Sequence, residues 1–135
     1  MDPIALTVLL IIADQVEEAD IRQKLAGARK ARFEVHAVPT FAEAFQQTVK
    51  ISFDIFLADL AVSDSDGVKG LQSVIAVAKE VPVVIISSVH DEAQALEAVR
   101  AGADDYTVKN RNEGNIFRIL TKPCSAENLL KALGD

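Results

Sequence analysis

Short apolar runs and helical stripes alternate along this chain. Ala5–Ile12 (ALTVLLII) is almost continuous in apolar residues, as a strand buried on both faces requires, and reads as a first, central strand. A helix is expected from Val16 to Ala26, acidic at its start and basic at its end as the helix dipole favours, with Gly27 as its stop. Phe33–Val38 (FEVHAV) alternates and reads as a strand nearer the sheet edge. Thr40 followed by Glu43 forms a capping box for a second helix reaching about Val49. Asp54–Asp59 (DIFLAD) is a third strand that ends in an acid. From Gly67 to Lys79, Val68, Leu71, Val74, Ile75 and Ala78 share one helical face. Val81–Ser88 (VPVVIISS) is a fourth strand, with Pro82 tolerable only near its start. Asp91–Ala101 reads as a fourth helix and Asp104–Lys109 (DDYTVK) as a fifth strand. The ending admits two registers, because Arg111–Pro123 (RNEGNIFRILTKP) looks like a second version of Arg100–Lys109 and is followed by a helical segment, Ser125–Leu133.

This alternation is the signature of βαβ units and predicts an α/β fold with a parallel sheet covered by helices on both faces. A length of 135 residues fits one domain, residues 1–135, and half of the residues are apolar, enough for a two-sided core. With six Phe, one Tyr and no Trp, that core must be mostly aliphatic.

The net charge of −6 and the scattering of the 14 basic residues argue against direct nucleic-acid binding, which needs clustered Lys and Arg. A lone Cys124 excludes an internal disulfide and favours a reducing compartment. The run Ala5–Ala13 is too short to span a bilayer and lacks the basic lead-in and cleavage site of a signal peptide. A soluble, cytoplasmic protein with no membrane partner is expected.

In an open parallel sheet the crevice lies at the carboxyl ends of the strands. There the pattern collects Asp14 after the first strand, Asp59 at the end of the third, Ser87 and Ser88 at the end of the fourth and Lys109 at the end of the fifth. Two carboxylates, a hydroxyl and an ammonium form a kit for phosphoryl transfer to a carboxylate. The acids and a backbone carbonyl suit Mg²⁺, and a Lys and a hydroxyl can bind phosphoryl oxygens.

At this point a family is recognisable. The whole chain resembles bacterial response-regulator receiver domains of two-component systems. Asp59–Gly67 (DLAVSDSDG) resembles the segment that starts with the phospho-accepting Asp. Val83–Ser88 resembles the strand whose terminal hydroxyl meets the phosphoryl group, and Ala98–Lys109 (AVRAGADDYTVK) the helix-four exit and the strand ending in the family's Lys. The resemblance implies a flavodoxin-like, doubly wound, five-stranded parallel sheet of order 2-1-3-4-5. It implies Asp59 as phospho-acceptor and Mg²⁺ held by Asp14, Asp59 and the Ala61 carbonyl. Ser87 becomes the switch hydroxyl, Lys109 the phosphate-binding cation and Tyr106 the aromatic that reorients on activation. The implied partners are a sensor histidine kinase or phosphotransfer protein and an output domain or partner protein, and a homodimer is compatible with this. The chain would then be a signalling module and not an enzyme, either stand-alone or a piece of a larger regulator.

Two departures stand out: Ala13 occupies the first position of the usual acidic pair after strand one, and Ser63 replaces the usual Pro of the following loop. The first should weaken Mg²⁺ binding and the second loosen that loop. Phe117–Pro123 (FRILTKP) also resembles the strand-five ending of receivers linked to HD-type phosphodiesterase outputs, which would make Lys122 the cation. Lys109 is preferred because of its spacing from Ser87 and the aromatic three residues before it, whereas Ile119 stands three before Lys122.

Bland readings compete at single positions. Asp64 and Asp66 suit helix capping, His36 a strand face near solvent, His90 a helix-entry surface, and Cys124 a small semi-buried residue. A haloacid-dehalogenase-type phosphatase would need a second Asp two residues after the nucleophile, where Ala61 stands. A flavin module would need a phosphate loop after strand one, where Asp14, Glu17 and Glu18 would repel phosphate. The remaining alternative is a degenerate receiver that binds partners without phosphorylation.

Overall fold

Ile4–Ile11 forms β1, and its last four residues are fully buried because strands lie on both sides of it and helices cover both faces. The computed structural model describes residues 4–29, 31–59, 61–62, 69–77, 81–87, 117–121, 126–127 and 130. The remaining elements are α1 (Gln15–Ala26), β2 (Ala31–Val38), α2 (Phe41–Lys50), β3 (Ile55–Asp59), α3 (Lys69–Val77), β4 (Val83–Ser87) and β5 (Phe117–Thr121). All five strands run parallel in the order β2-β1-β3-β4-β5, the doubly wound topology expected from the sequence.

Period-two alternation sends successive residues of each strand to opposite faces. Leu9, Ile11, Phe56, Ala58, Val83 and Ile85 pack with Phe41 and Ala44 of α2 and Val74 of α3. Val8, Leu10, Ile12, Ile55, Leu57, Val84 and Ile86 pack with Ile21 and Leu25 of α1, and Leu130 packs against the same cluster. The core is largely aliphatic, and Phe56 leans on Phe53 with ring centroids 6.3 Å apart. His36 meets Phe53 edge-on at 5.6 Å and Glu34 at 3.2 Å on the half-exposed face of β2.

Local chemistry sets the element boundaries. Thr40 caps α2: its hydroxyl accepts from the Glu43 amide at 3.2 Å and donates to the Glu43 carboxylate at 3.3 Å. Asp54 lies just before β3 and zips its start to β1, accepting from the Thr7 amide through Oδ2 and donating its own amide to the Thr7 carbonyl, each at 2.8 Å. Pro82 precedes β4, where its carbonyl accepts from the Phe56 amide at 2.9 Å and its missing N–H costs nothing. Helix α1 ends at Gly27 as expected, in the right-handed region (φ −82°, ψ 0°), so glycine's access to the left-handed region plays no part. Along α1, Glu18 pairs with Arg22 at 2.9 Å and Asp20 with Lys24 at 2.8 Å. Strand β2 ends the sheet, and Arg22 Nη1 donates to the outward-facing Val35 carbonyl at 3.5 Å.

The fifth strand departs from the preferred register. Phe117–Thr121, not Asp104–Lys109, lies beside β4, with Val83 opposite Phe117 and Ser87 opposite Thr121. Phe117, Ile119 and Leu120 provide the aromatic and aliphatic residues that a sheet favours, whereas two Asp open the rival segment. The reading of Ile116–Leu120 as a helix falls with it, since so short an apolar run fits strand and helix alike. Helical residues at 126–127 and 130 follow, as the Ser125–Leu133 segment predicts. Residues 91–116 lie outside the described residues, and with them the expected fourth helix, Tyr106 and Lys109.

Candidate functional site at the carboxyl ends of the strands

The sheet register converts sequence positions into levels. Ile11 pairs with Ala58, Asp59 with Ile86, and Ser87 with Thr121. Asp59 therefore ends the central strand β3 one level beyond Ile11, the last residue of β1, and opposite Ile86, with Ser87 ending β4 one level further out. Asp14 follows two residues beyond Ile12, the continuation of β1. Thr121 ends β5, and Lys122 follows it in the sequence. Lys122, Ser63 and Ser88 themselves lie outside the described residues.

Asp59 is the only polar or charged residue among the buried described positions, with 4% of its surface exposed. A strand end in a two-sided core forces this burial, and one carboxylate oxygen, Oδ1, accepts the Ala61 amide at 2.9 Å. Its carbonyl accepts the Val62 amide at 3.4 Å, turning the chain away from the sheet. Ala61 is exposed in that turn. A buried acid held at its backbone, with an exposed turn over it, is arranged to meet a ligand arriving at the strand ends.

Asp14 is exposed and serves as the N-cap of α1. Its Oδ1 accepts the Val16 amide at 2.8 Å and the Glu17 amide at 3.1 Å, satisfying two donors that the helix start leaves open. Sequence reasoning began α1 at Val16 and missed this role, although Asp14 three residues before Glu17 is a capping pattern.

Asp14, Asp59 and the Ala61 main chain offer carboxylate and carbonyl oxygens, the donor type that a hard divalent cation such as Mg²⁺ prefers. Among the described residues no group of three His, Cys, Asp or Glu side chains could hold a metal, so a soft-metal centre has no basis there. A groove of about 560 Å³ between α2 and α3 is lined by Phe41, Ala42, Phe45, Gln46, Gly70 and Ser73, none of them charged among the described residues. No helix among the described residues is long and apolar enough to cross a membrane.

Known proteins resemble this chain in sequence and in fold. The chain is 26% identical over 124 residues to the transcriptional regulatory protein ZraR of Escherichia coli O157:H7, covering 92% of this chain and 28% of ZraR. It is 25% identical over 130 residues to the regulatory protein AtoC of Escherichia coli strain K12, covering 96% and 28% respectively. The chain thus spans little more than a quarter of these relatives. Among solved structures, the signal receiver domain of an HD domain-containing protein from Pseudomonas fluorescens Pf-5 superposes with a TM-score of 0.76 at 19% identity, covering 96% of this chain and 91% of that one, a likeness of fold. Residues 9–121 match the model of the response regulator receiver domain, and with the sheet order and the buried strand-end acid already in view, the chain belongs to that family.

Proposed function

We propose that this receiver takes a phosphoryl group onto Asp59 from a histidine kinase or phosphotransfer protein, in a Mg²⁺-dependent reaction, and passes the signal to an output domain or partner protein. One observation carries the reading: a nearly buried carboxylate ends the central strand, one level beyond the end of β1 and one short of the end of β4.

An Asp59 carboxylate oxygen forms the new P–O bond while the P–N bond to the donor histidine breaks. The electron pair leaves with the imidazole nitrogen, which takes up a proton. The Ala61 amide holds Oδ1 at 2.9 Å and so fixes the orientation of the carboxylate. Mg²⁺, held by Asp14, Asp59 and the Ala61 carbonyl, would supply positive charge against the phosphoryl oxygens. Ser87 at the end of β4 is the hydroxyl nearest in register to Asp59 and the candidate switch residue. The strand register favours Lys122 over Lys109 as the phosphate-binding cation, because Lys122 directly follows β5. Ile119 then stands three residues before it, and the switch role assigned to Tyr106 loses its motive. In this reading the domain is a cytoplasmic signalling module and catalyses no turnover of its own.

Ala13 and the engagement of Asp14 in the α1 cap favour a second reading, a receiver that binds partners without phosphorylation. Incubation with acetyl phosphate and Mg²⁺ followed by mass measurement separates the two. Gain of one phosphoryl group, lost in Asp59→Asn, supports phospho-acceptance. No gain at any Mg²⁺ concentration leaves the second reading.

A further inference from the structure

Asp14 carries two obligations at once. Its Oδ1 receives the Val16 and Glu17 amides, 2.8 and 3.1 Å away, and so holds the first turn of α1. It is also the only acid between the end of β1 and the first turn of α1, because Ala13 leaves the neighbouring position without a charge. Two backbone dipoles at a helix start draw negative charge toward Oδ1, away from any cation at the strand ends. A cation beside Asp59 draws the same charge the other way. A carboxylate has lone pairs on two oxygens for both, but the two demands draw on one charge, so each hydrogen bond or metal contact withdraws density from the other.

From this geometry we infer that the first turn of α1 is coupled to occupancy of the cation site. The Val16 and Glu17 amides position Asp14 toward the site when it is empty. They lose hydrogen-bond strength when a divalent cation engages that carboxylate. The inference rests on the Mg²⁺ reading of the Asp14–Asp59 site and concerns how filling that site is felt elsewhere. By linkage the coupling is reciprocal: whatever strengthens the hold of α1 on Asp14 weakens the cation there, and the reverse. Val16 has 79% of its surface exposed, so the turn that responds is on the outside of the domain, where a partner can sense it. A second carboxylate at position 13 would share the cation and relieve Asp14, so the coupling belongs to this sequence through Ala13.

Amide chemical shifts read the hydrogen bonds directly. Titration of the protein with MgCl₂, against NaCl of equal ionic strength, should move the Ala61 amide together with those of Val16 and Glu17, the latter two upfield as their bonds weaken. The three should saturate along one binding curve. In Asp14→Asn the side-chain oxygen still caps the helix, as Asn does well, so α1 stays formed. The Val16 and Glu17 response to Mg²⁺ should then be lost. A shift at Ala61 with none at Val16 and Glu17 overturns the coupling and leaves the cation site standing. Persistence of the Val16 and Glu17 response in Asp14→Asn also overturns it. Absence of any Mg²⁺ response at Ala61, Val16 and Glu17 sinks the cation reading, and the coupling with it.

Discussion

Ala13→Asp tests the charge logic of the strand ends directly. Ala13 is exposed between β1 and Asp14, so a carboxylate there acts through water at high dielectric. A charge of −1 about 5 Å from a divalent cation, close to the distance across one bridging water, gains roughly 1.7 kcal/mol at a dielectric near 80. That corresponds to about fifteen- to twentyfold tighter Mg²⁺ binding. Without the cation the sign reverses: repulsion from Asp14 and Asp59 at about 6 Å costs roughly 0.7 kcal/mol each. For 135 residues an unfolding entropy of about 0.28 kcal/mol/K converts that sum into a melting temperature lower by about 5 °C. Calorimetric titration with Mg²⁺ and thermal melts with and without 10 mM-scale metal would measure both arms. The variant should melt lower than the parent in chelator and recover in Mg²⁺, and 0.5 M NaCl should shrink both effects. A variant that melts lower in chelator yet binds Mg²⁺ no better would refute the reasoning, because the added charge would then feel the acids but no cation between them.

Three further substitutions probe separate parts of the structure. Asp59→Asn should abolish phosphoryl incorporation while preserving the fold, since the near-isosteric amide keeps an acceptor for the Ala61 N–H; incorporation that persists at another Asp, seen by peptide mapping, rules the assignment out. Lys122→Ala should reduce phosphorylation and its structural response, while Lys109→Ala leaves both near the parent level; the opposite result in a phosphorylation time course restores the rejected strand register. Phe56→Ala empties a fully buried position against Phe53 and should cost about 3–5 kcal/mol, read as a lower midpoint in urea unfolding, and a loss under 1 kcal/mol would contradict the packing described.

The first, third and fourth strands were legible as apolar runs with a polar or turn residue at the end, and the second by its alternation of apolar and polar residues. Asp59 was legible for the same reason: an acid closing the run Ile55–Ala58 can lie only at the rim of a buried sheet. The capping pair Thr40 and Glu43 marked α2 correctly, through chemistry that is local and needs no tertiary information. The fifth strand was not legible, since Asp104–Lys109 and Phe117–Lys122 both end in Lys after apolar residues. Pairing with β4 discriminates between them, and hydrogen-bonded register is a property of two segments that neither carries alone. The cap role of Asp14 was hidden differently: its capping pattern with Glu17 lies in the sequence, but a helix begun at Val16 leaves Asp14 outside it.

The contact between Arg22 and the Val35 carbonyl bears on how this domain behaves in crowded solution. An edge strand offers a row of unpaired backbone groups to any passing extended chain. Strand β2 is eight residues long and has no strand beside it on that side among the described residues, so it could template the addition of a foreign strand. A guanidinium reaching from α1 occupies one of its outward carbonyls and brings a positive charge to the rim. Arg32 and Glu34 place charged side chains along the same strand. An incoming strand must displace Arg22 and desolvate these charges before it gains its first hydrogen bond. Replacing Arg22 with an aliphatic residue would leave α1 folded and open the rim to edge-to-edge growth, so the damage would be seen in light scattering at high protein concentration before it is seen in a melting curve.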